Sequence, residues 1–212
     1  MKRVKNFQIV SIIFVWIAGT LLHFTHDWFP DSVVFSIISA VNESTWEHLK
    51  LVFFPMLFMT IVGYFYNKDI KSFLYAKFVS ILIAMSFIVV FFYTYTGVIG
   101  RNFAVLDIGS FFVAVVLGEF YAYRIMISNK SKINSAVAVS ILVAILLYFA
   151  IFTYYPPSIG LFANPLIGWD YMKLLILLRL LLWYYTNYDM FNLYWKMFWI
   201  NIRRIILWEY LF

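Results

Sequence analysis

Within seven residues, Asn42-Glu43-Ser44-Thr45-Trp46-Glu47-His48, the chain places two carboxylates, an amide, two hydroxyls and an imidazole. Glu43 and Glu47, and likewise Ser44 and His48, are four apart, so on a helix each pair stacks along one face. A carboxylate tuned by burial or by a neighbouring imidazole serves as a general acid or base, which makes Glu43 and Glu47 the candidate catalytic residues. A second concentration, His23-Phe24-Thr25-His26-Asp27, sets His23 three residues from His26 and four from Asp27. Imidazoles at that spacing suit a divalent metal such as zinc, with His23, His26 and His48 as candidate ligands. Arg101 offers a guanidinium to a carboxylate or a lipid phosphate. Together with Asn42, Ser44, Tyr95 and Asp107 it completes the set of candidate ligand-binding residues.

Each of these segments also has a purely structural reading. Ser44 followed three residues later by Glu47, just ahead of an apolar run, is a capping box, with Trp46 as an interfacial anchor and Lys50 as a snorkelling cation. The histidine segment also suits a helix leaving hydrocarbon for water. Asp107 precedes an apolar helix and suits an N-cap. Glu119 lies inside an apolar run, where acidic residues are costly, and Arg124 is its expected neutralising partner.

The elements that must position these residues follow from composition. Of 212 residues, 65% are hydrophobic and 12% charged, against roughly half and a quarter in soluble chains. That excludes a water-soluble globule and makes the lipid bilayer the solvent. At about 20 residues per span, the length admits five or six transmembrane helices. Absence of cysteine excludes disulfides and thiolate chemistry. The net charge of +6 has no soluble basic face on which to present nucleic acid, and no nucleic-acid partner is expected.

Apolar runs at 7–22, 49–66, 73–93, 108–127 and 133–155 read as five spans, the first as an uncleaved span rather than a signal peptide ending at Ala18-Gly19. Asp31 to Val41 is too short to cross and reads as an outer half-helix capped by Asp31 or Ser32. Residues 1–168 thus form a helical transmembrane domain. Residues 169–212 form an aromatic and basic extension, either a sixth span or an interfacial helix. The expected fold is all-α, a polytopic helical membrane bundle.

With the N-terminus cytoplasmic, inner segments carry Lys2, Arg3, Lys5, Lys68, Lys71, Lys77, Arg124, Lys130 and Lys132, and outer ones only Lys50 and Arg101 before Pro156. Nine cations against two orient the chain. All three histidines and nearly all unusual polar residues then fall at one depth, towards the outer face.

The segments Val41 to Lys50, Tyr93-Thr94-Tyr95-Thr96-Gly97-Val98-Ile99-Gly100 and Phe152-Thr153-Tyr154-Tyr155-Pro156-Pro157 together resemble a family of small bacterial integral membrane proteins carrying an N-E-S-x-W-E-H motif, a domain of unknown function. The likeness runs from His23 to about Asn164-Pro165 and implies a bacterial cytoplasmic-membrane location. The tail departs from it: the family ends near a D-P-x-x-G-x-Y-G stretch, whereas this chain reads Asn164-Pro165-Leu166-Ile167-Gly168-Trp169-Asp170-Tyr171 and continues. A looser likeness is to the alkaline ceramidase superfamily, which gathers Ser, Asp and three His around zinc. This chain offers Ser44, Asp107 and three histidines but no histidine after His48.

The expected function is a multi-pass membrane protein whose outward-facing polar pocket binds or passes a small or lipidic ligand. The alternatives are a metal-dependent intramembrane hydrolase, with zinc as the cofactor, and a non-catalytic accessory subunit. No feature of the residues selects an oligomeric state.

Overall fold

A computed structural model describes residues 1–163, all of whose regular elements are helical. The expected C-terminal extension, sixth span or interfacial helix, lies outside the described residues. The elements are α1 (Lys2–Trp28), α2 (Val33–Ile38), α3 (Thr45–Tyr66), α4 (Phe73–Ile99), α5 (Ala104–Ser128), α6 (Ser135–Tyr154) and a 3-10 turn (Gly160–Phe162). All but α2 and the 3-10 turn, five among the described residues, are long and apolar enough to cross a membrane. They coincide with the five apolar runs, although α1 and α4 run several residues further before ending.

The helix ends follow their local chemistry. Ser44 caps α3, and Asn134 caps α6 by accepting from the Ala136 amide at 3.0 Å. Gly100, at φ +80°, closes α4 in the left-handed conformation that glycine adopts without strain. Asn129 closes α5 in the same region, and its side chain accepts from the Ser72 amide that opens α4. The short helix differs from expectation. It spans only Val33–Ile38, capped by Ser32, because the chain turns extended at Ser39 and its late carbonyls bond a lysine of α3 instead of continuing a helical ladder.

Packing between helices relies on small residues, as expected where lipid supplies no hydrophobic drive between helices. Ala76, Ser80 and Ala84 of α4, at four-residue spacing, lie buried, as do Ala114, Gly118 and Ala122 of α5. A Cβ at Gly118 would sit 2.6 Å from the Ser80 carbonyl oxygen, so the two backbones are in direct contact there. α1 meets α3 in the same way. Pro55 has no N–H to offer the Leu51 carbonyl four residues back. That carbonyl instead faces Gly19, where an added Cβ would lie 2.5 Å from it.

Antiparallel neighbours set which ends meet. Arg3 of α1 pairs with Asp69, just past α3, and Phe7 stacks on Tyr66 and packs tilted against Phe73. At the other end, α1 finishes against the start of α3. The surface is apolar, with Leu147 and Ile151 of α6 53% and 50% exposed, while several charged side chains are wholly enclosed. This inversion is what a lipid solvent requires.

Candidate functional site

The site is built at the end of the bundle where α1 finishes and α3 begins. Three interactions fold the motif. The Asn42 side chain accepts from the Ser44 amide at 2.9 Å, closing a tight Asx turn. The Ser44 hydroxyl accepts from the Glu47 amide at 3.3 Å, as a helix cap. The Glu47 carboxylate accepts from the Val41 amide at 3.1 Å. The expected capping box is therefore only half present, since Glu47 reaches back to Val41 and leaves the cap amide to Asn42.

Lys50 completes this frame. Its ammonium donates to Glu47 at 2.5 Å, to the Thr153 hydroxyl of α6 at 2.6 Å, and to the Ser36 and Ser39 carbonyls at 3.1 and 3.3 Å. One buried cation thus ties α2, α3 and α6 together. The expectation of a snorkelling lysine is corrected: Lys50 is fully buried because four acceptors replace its hydration. Trp46 reinforces the same junction, with ring centroids 4.7, 5.6 and 4.8 Å from Phe149, Phe152 and Phe162.

Held this way, Glu43 projects between two imidazoles from separate helices. Its oxygens lie 3.4 Å from His48 Nε2 and 4.0 Å from His23 Nε2, and the two rings are 5.4 Å apart. One ligand atom from each of the three residues falls within 4.8 Å of the others. His48 Nδ1 lies 2.9 Å from the Ser44 carbonyl, which only accepts, so Nδ1 carries a proton and Nε2 is aimed at Glu43. The hydrogen bond from His48 holds the Glu43 carboxyl below its ordinary range, outweighing partial burial, which pushes the other way; the charges of His48 and His23 add to the lowering. Glu43 is therefore ionised at neutral pH.

Chemically, two imidazoles and a carboxylate are a ligand set for zinc with one position left open. Ligand atoms around a tetrahedral zinc are roughly 3.3–3.6 Å apart, given bonds of about 2.0–2.2 Å. In the site one ligand atom from each residue lies within 4.8 Å of the others, the 3.4 and 4.0 Å separations being to different oxygens of Glu43, so a bound ion would draw the three together. The bond from His48 Nδ1 to a backbone carbonyl is the orienting contact that metal-ligating histidines ordinarily have.

The remaining sequence candidates fall elsewhere. His26 turns towards α2, with Nδ1 3.5 Å from the Ser36 hydroxyl, and does not join His23 and His48; Glu43 takes its place. Glu47 does not face the imidazoles, because its carboxylate is occupied by Lys50 and Val41. Ser44 is buried as a cap, and Asn42 is spent on the turn. Asp107 is not the N-cap of α5, which is Phe103. Its carboxylate instead accepts from the Tyr95 hydroxyl, and Tyr95 in turn accepts from the Phe103 amide at 3.2 Å. Tyr95 and Asp107 thus tie α4 to α5. Arg101 is exposed and stacks over Phe103 at 4.6 Å. The Ser, Asp and three-His constellation of the ceramidase likeness is not assembled among these residues.

Sequence reasoning missed two contacts. Thr153 as an acceptor for Lys50 carries no local signal, being 103 residues away. Glu119 pairs with Lys77 at 2.5 Å rather than with Arg124, and both side chains are fully buried. Their positions are foreshadowed by the small-residue seam, since Lys77 follows Ala76 and Glu119 follows Gly118.

A family model described as a family of unknown function, DUF6512, matches residues 1–169. The chain belongs to this family. The matched stretch contains His23, Glu43, His48 and the whole Lys50 junction, so the DUF6512 region includes every part of the site. No curated protein and no solved structure matches the chain.

Proposed function

We propose that the protein is a multi-pass protein of the bacterial cytoplasmic membrane that holds a divalent transition metal, zinc by ligand chemistry, on His23, Glu43 and His48 at its outward end. The open coordination position then receives a small or lipidic ligand. The observation that carries this reading is the convergence of His23 and His48, from two different helices, on one ionised carboxylate. Such a set binds metal by giving up imidazole protons, because only neutral imidazole is a ligand.

The orientation is supported by charge. Lys50 and Lys77 are buried and leave the count, so the earlier nine against two becomes eight against one. The eight, Lys2, Arg3, Lys5, Lys68, Lys71, Arg124, Lys130 and Lys132, are all exposed at the end where α1 begins, and Arg101 is exposed at the other. This supports a cytoplasmic N-terminus, with the metal ligands outside.

Binding is favoured over hydrolysis. Glu47, the second carboxylate of the motif, is 2% exposed and engaged by Lys50, so it is not free to act as a general base beside a metal-bound water. The test is zinc titration of purified, chelator-treated protein by calorimetry. Tight stoichiometric binding, abolished in His48→Ala with the fold intact, supports the reading. Absence of binding in the folded wild type rejects it and leaves a metal-free ligand pocket or an accessory-subunit role.

A further inference from the structure

A second polar group lies inside the bundle, in the half nearer the start of α1, and plays no part in the site above. Lys77 of α4 and Glu119 of α5 form their ion pair at 2.5 Å with both side chains fully buried. Gln8 of α1 donates its amide to the Glu119 backbone carbonyl at 3.2 Å, bringing a third helix to the pair. Ser11 lies three residues from Gln8, and Ser80 three from Lys77, so each shares its partner's helix face.

The pairing is incomplete. Glu119 Oε2, Gln8 Oε1, Ser11 Oγ and Ser80 Oγ are buried and have no protein hydrogen-bond partner. Lys77 has three donors, of which Glu119 Oε1 takes one, and its ammonium otherwise faces the Phe7 ring at 5.6 Å. Buried polar atoms left unpaired are costly, and these four lie on three helices that the Lys77–Glu119 pair and the Gln8 bond join.

We propose that these groups form a hydrated site within the bundle, binding ordered water between Glu119 Oε2, Gln8 Oε1 and the hydroxyls of Ser11 and Ser80. The balance of groups selects water over a metal cation. The ion pair is neutral, so an added cation would leave uncompensated charge in a low-dielectric interior. The unpaired set contains both donors, on Lys77 and the two serines, and acceptors, on Glu119 and Gln8, and water satisfies both kinds at once. This site stands independently of any metal at the other end.

The two possibilities for the serines move stability in opposite directions. In a dry site, Ser11→Ala and Ser80→Ala remove unpaired hydroxyls and raise the melting temperature; in a hydrated site each removes a partner of bound water and lowers it, by about 2–4 °C per kcal/mol lost. We expect lowering in both variants of the full chain in detergent. We also expect X-ray radiolytic footprinting of the wild type, normalised to intrinsic side-chain reactivity, to label Phe7, beside Lys77, well above Ile88, which is equally enclosed. Unchanged or raised melting temperatures, or normalised Phe7 labelling no greater than that of Ile88, overturn the proposal. So does stabilisation of the wild type by sodium over choline chloride that both serine variants lose, since an ion would then occupy the site.

Discussion

Lys50→Met removes the cation that joins α2, α3 and α6 while keeping most of the side-chain volume. The side chains of Lys50 and Glu47 are 0% and 3% exposed, so the variant leaves a buried carboxylate facing only the Val41 amide. Removing one partner of a buried pair costs about 3–5 kcal/mol. At about 2–4 °C per kcal/mol for a protein of this size, the melting temperature in detergent falls by roughly 6–20 °C. Replacing both partners, Glu47→Gln with Lys50→Met, removes the stranded charge and recovers more than half of that loss. A double-mutant cycle measured by scanning fluorimetry at one scan rate reads both numbers. The Val41 amide, two residues from Glu43, loses its firm anchor in Lys50→Met, so zinc affinity also falls although no ligand has changed. A Lys50→Met variant melting within about 2 °C of wild type, or a double variant no better than the single, refutes the junction as the element that holds the site.

Gly19→Ala pushes a Cβ to 2.5 Å from the Leu51 carbonyl and 2.6 Å from Phe111, one turn before His23. Overpacking of this kind costs about 1–3 kcal/mol, and both melting temperature and zinc affinity should fall. Gly109→Ala, with nothing within 4 Å of the added carbon, is the control and should do neither. For pH, the Glu43 carboxyl is held below its ordinary value of 4.5 by His48. Its contribution to stability is therefore complete above that pH and is lost on acidification through the depressed folded value. In chelator, wild type should melt above Glu43→Gln at pH 7 and the two curves should close below pH 4.5; a gap that stays constant to pH 3 contradicts the ion pair.

Much of the fold is legible because hydropathy alone fixes which residues lie in lipid and roughly where each crossing ends. Apolar runs locate all five long helices among the described residues, and their alternation sets His23 and the 42–48 motif at one depth. Depth is not azimuth, however. A sequence does not say which face of α1 meets α3, so spacing alone groups His26 with His23, whereas the neighbour that matters is Glu43, across a helix boundary. The same gap hid the partners of the buried lysines. Lys50 and Lys77 sit near helix ends, where a lysine ordinarily extends to water. The acceptors that keep them inside come largely from other elements, Thr153 and the Ser36 and Ser39 carbonyls in one case and Glu119 in the other. Local chemistry was read more securely: Ser44 caps α3 as its spacing implies, and Glu47 departs from the capping box only because Lys50 draws its carboxylate towards α2.

The central claim is that His23, Glu43 and His48 form one metal centre, and the most direct measurement is the metal content of purified protein by mass spectrometry after loading with zinc and desalting. The account predicts stoichiometric zinc in the wild type, lost in His23→Ala, Glu43→Ala and His48→Ala but retained in His26→Ala, whose ring faces α2. A folded wild type that retains no metal, or a His26→Ala variant that loses it as the other three do, contradicts the account.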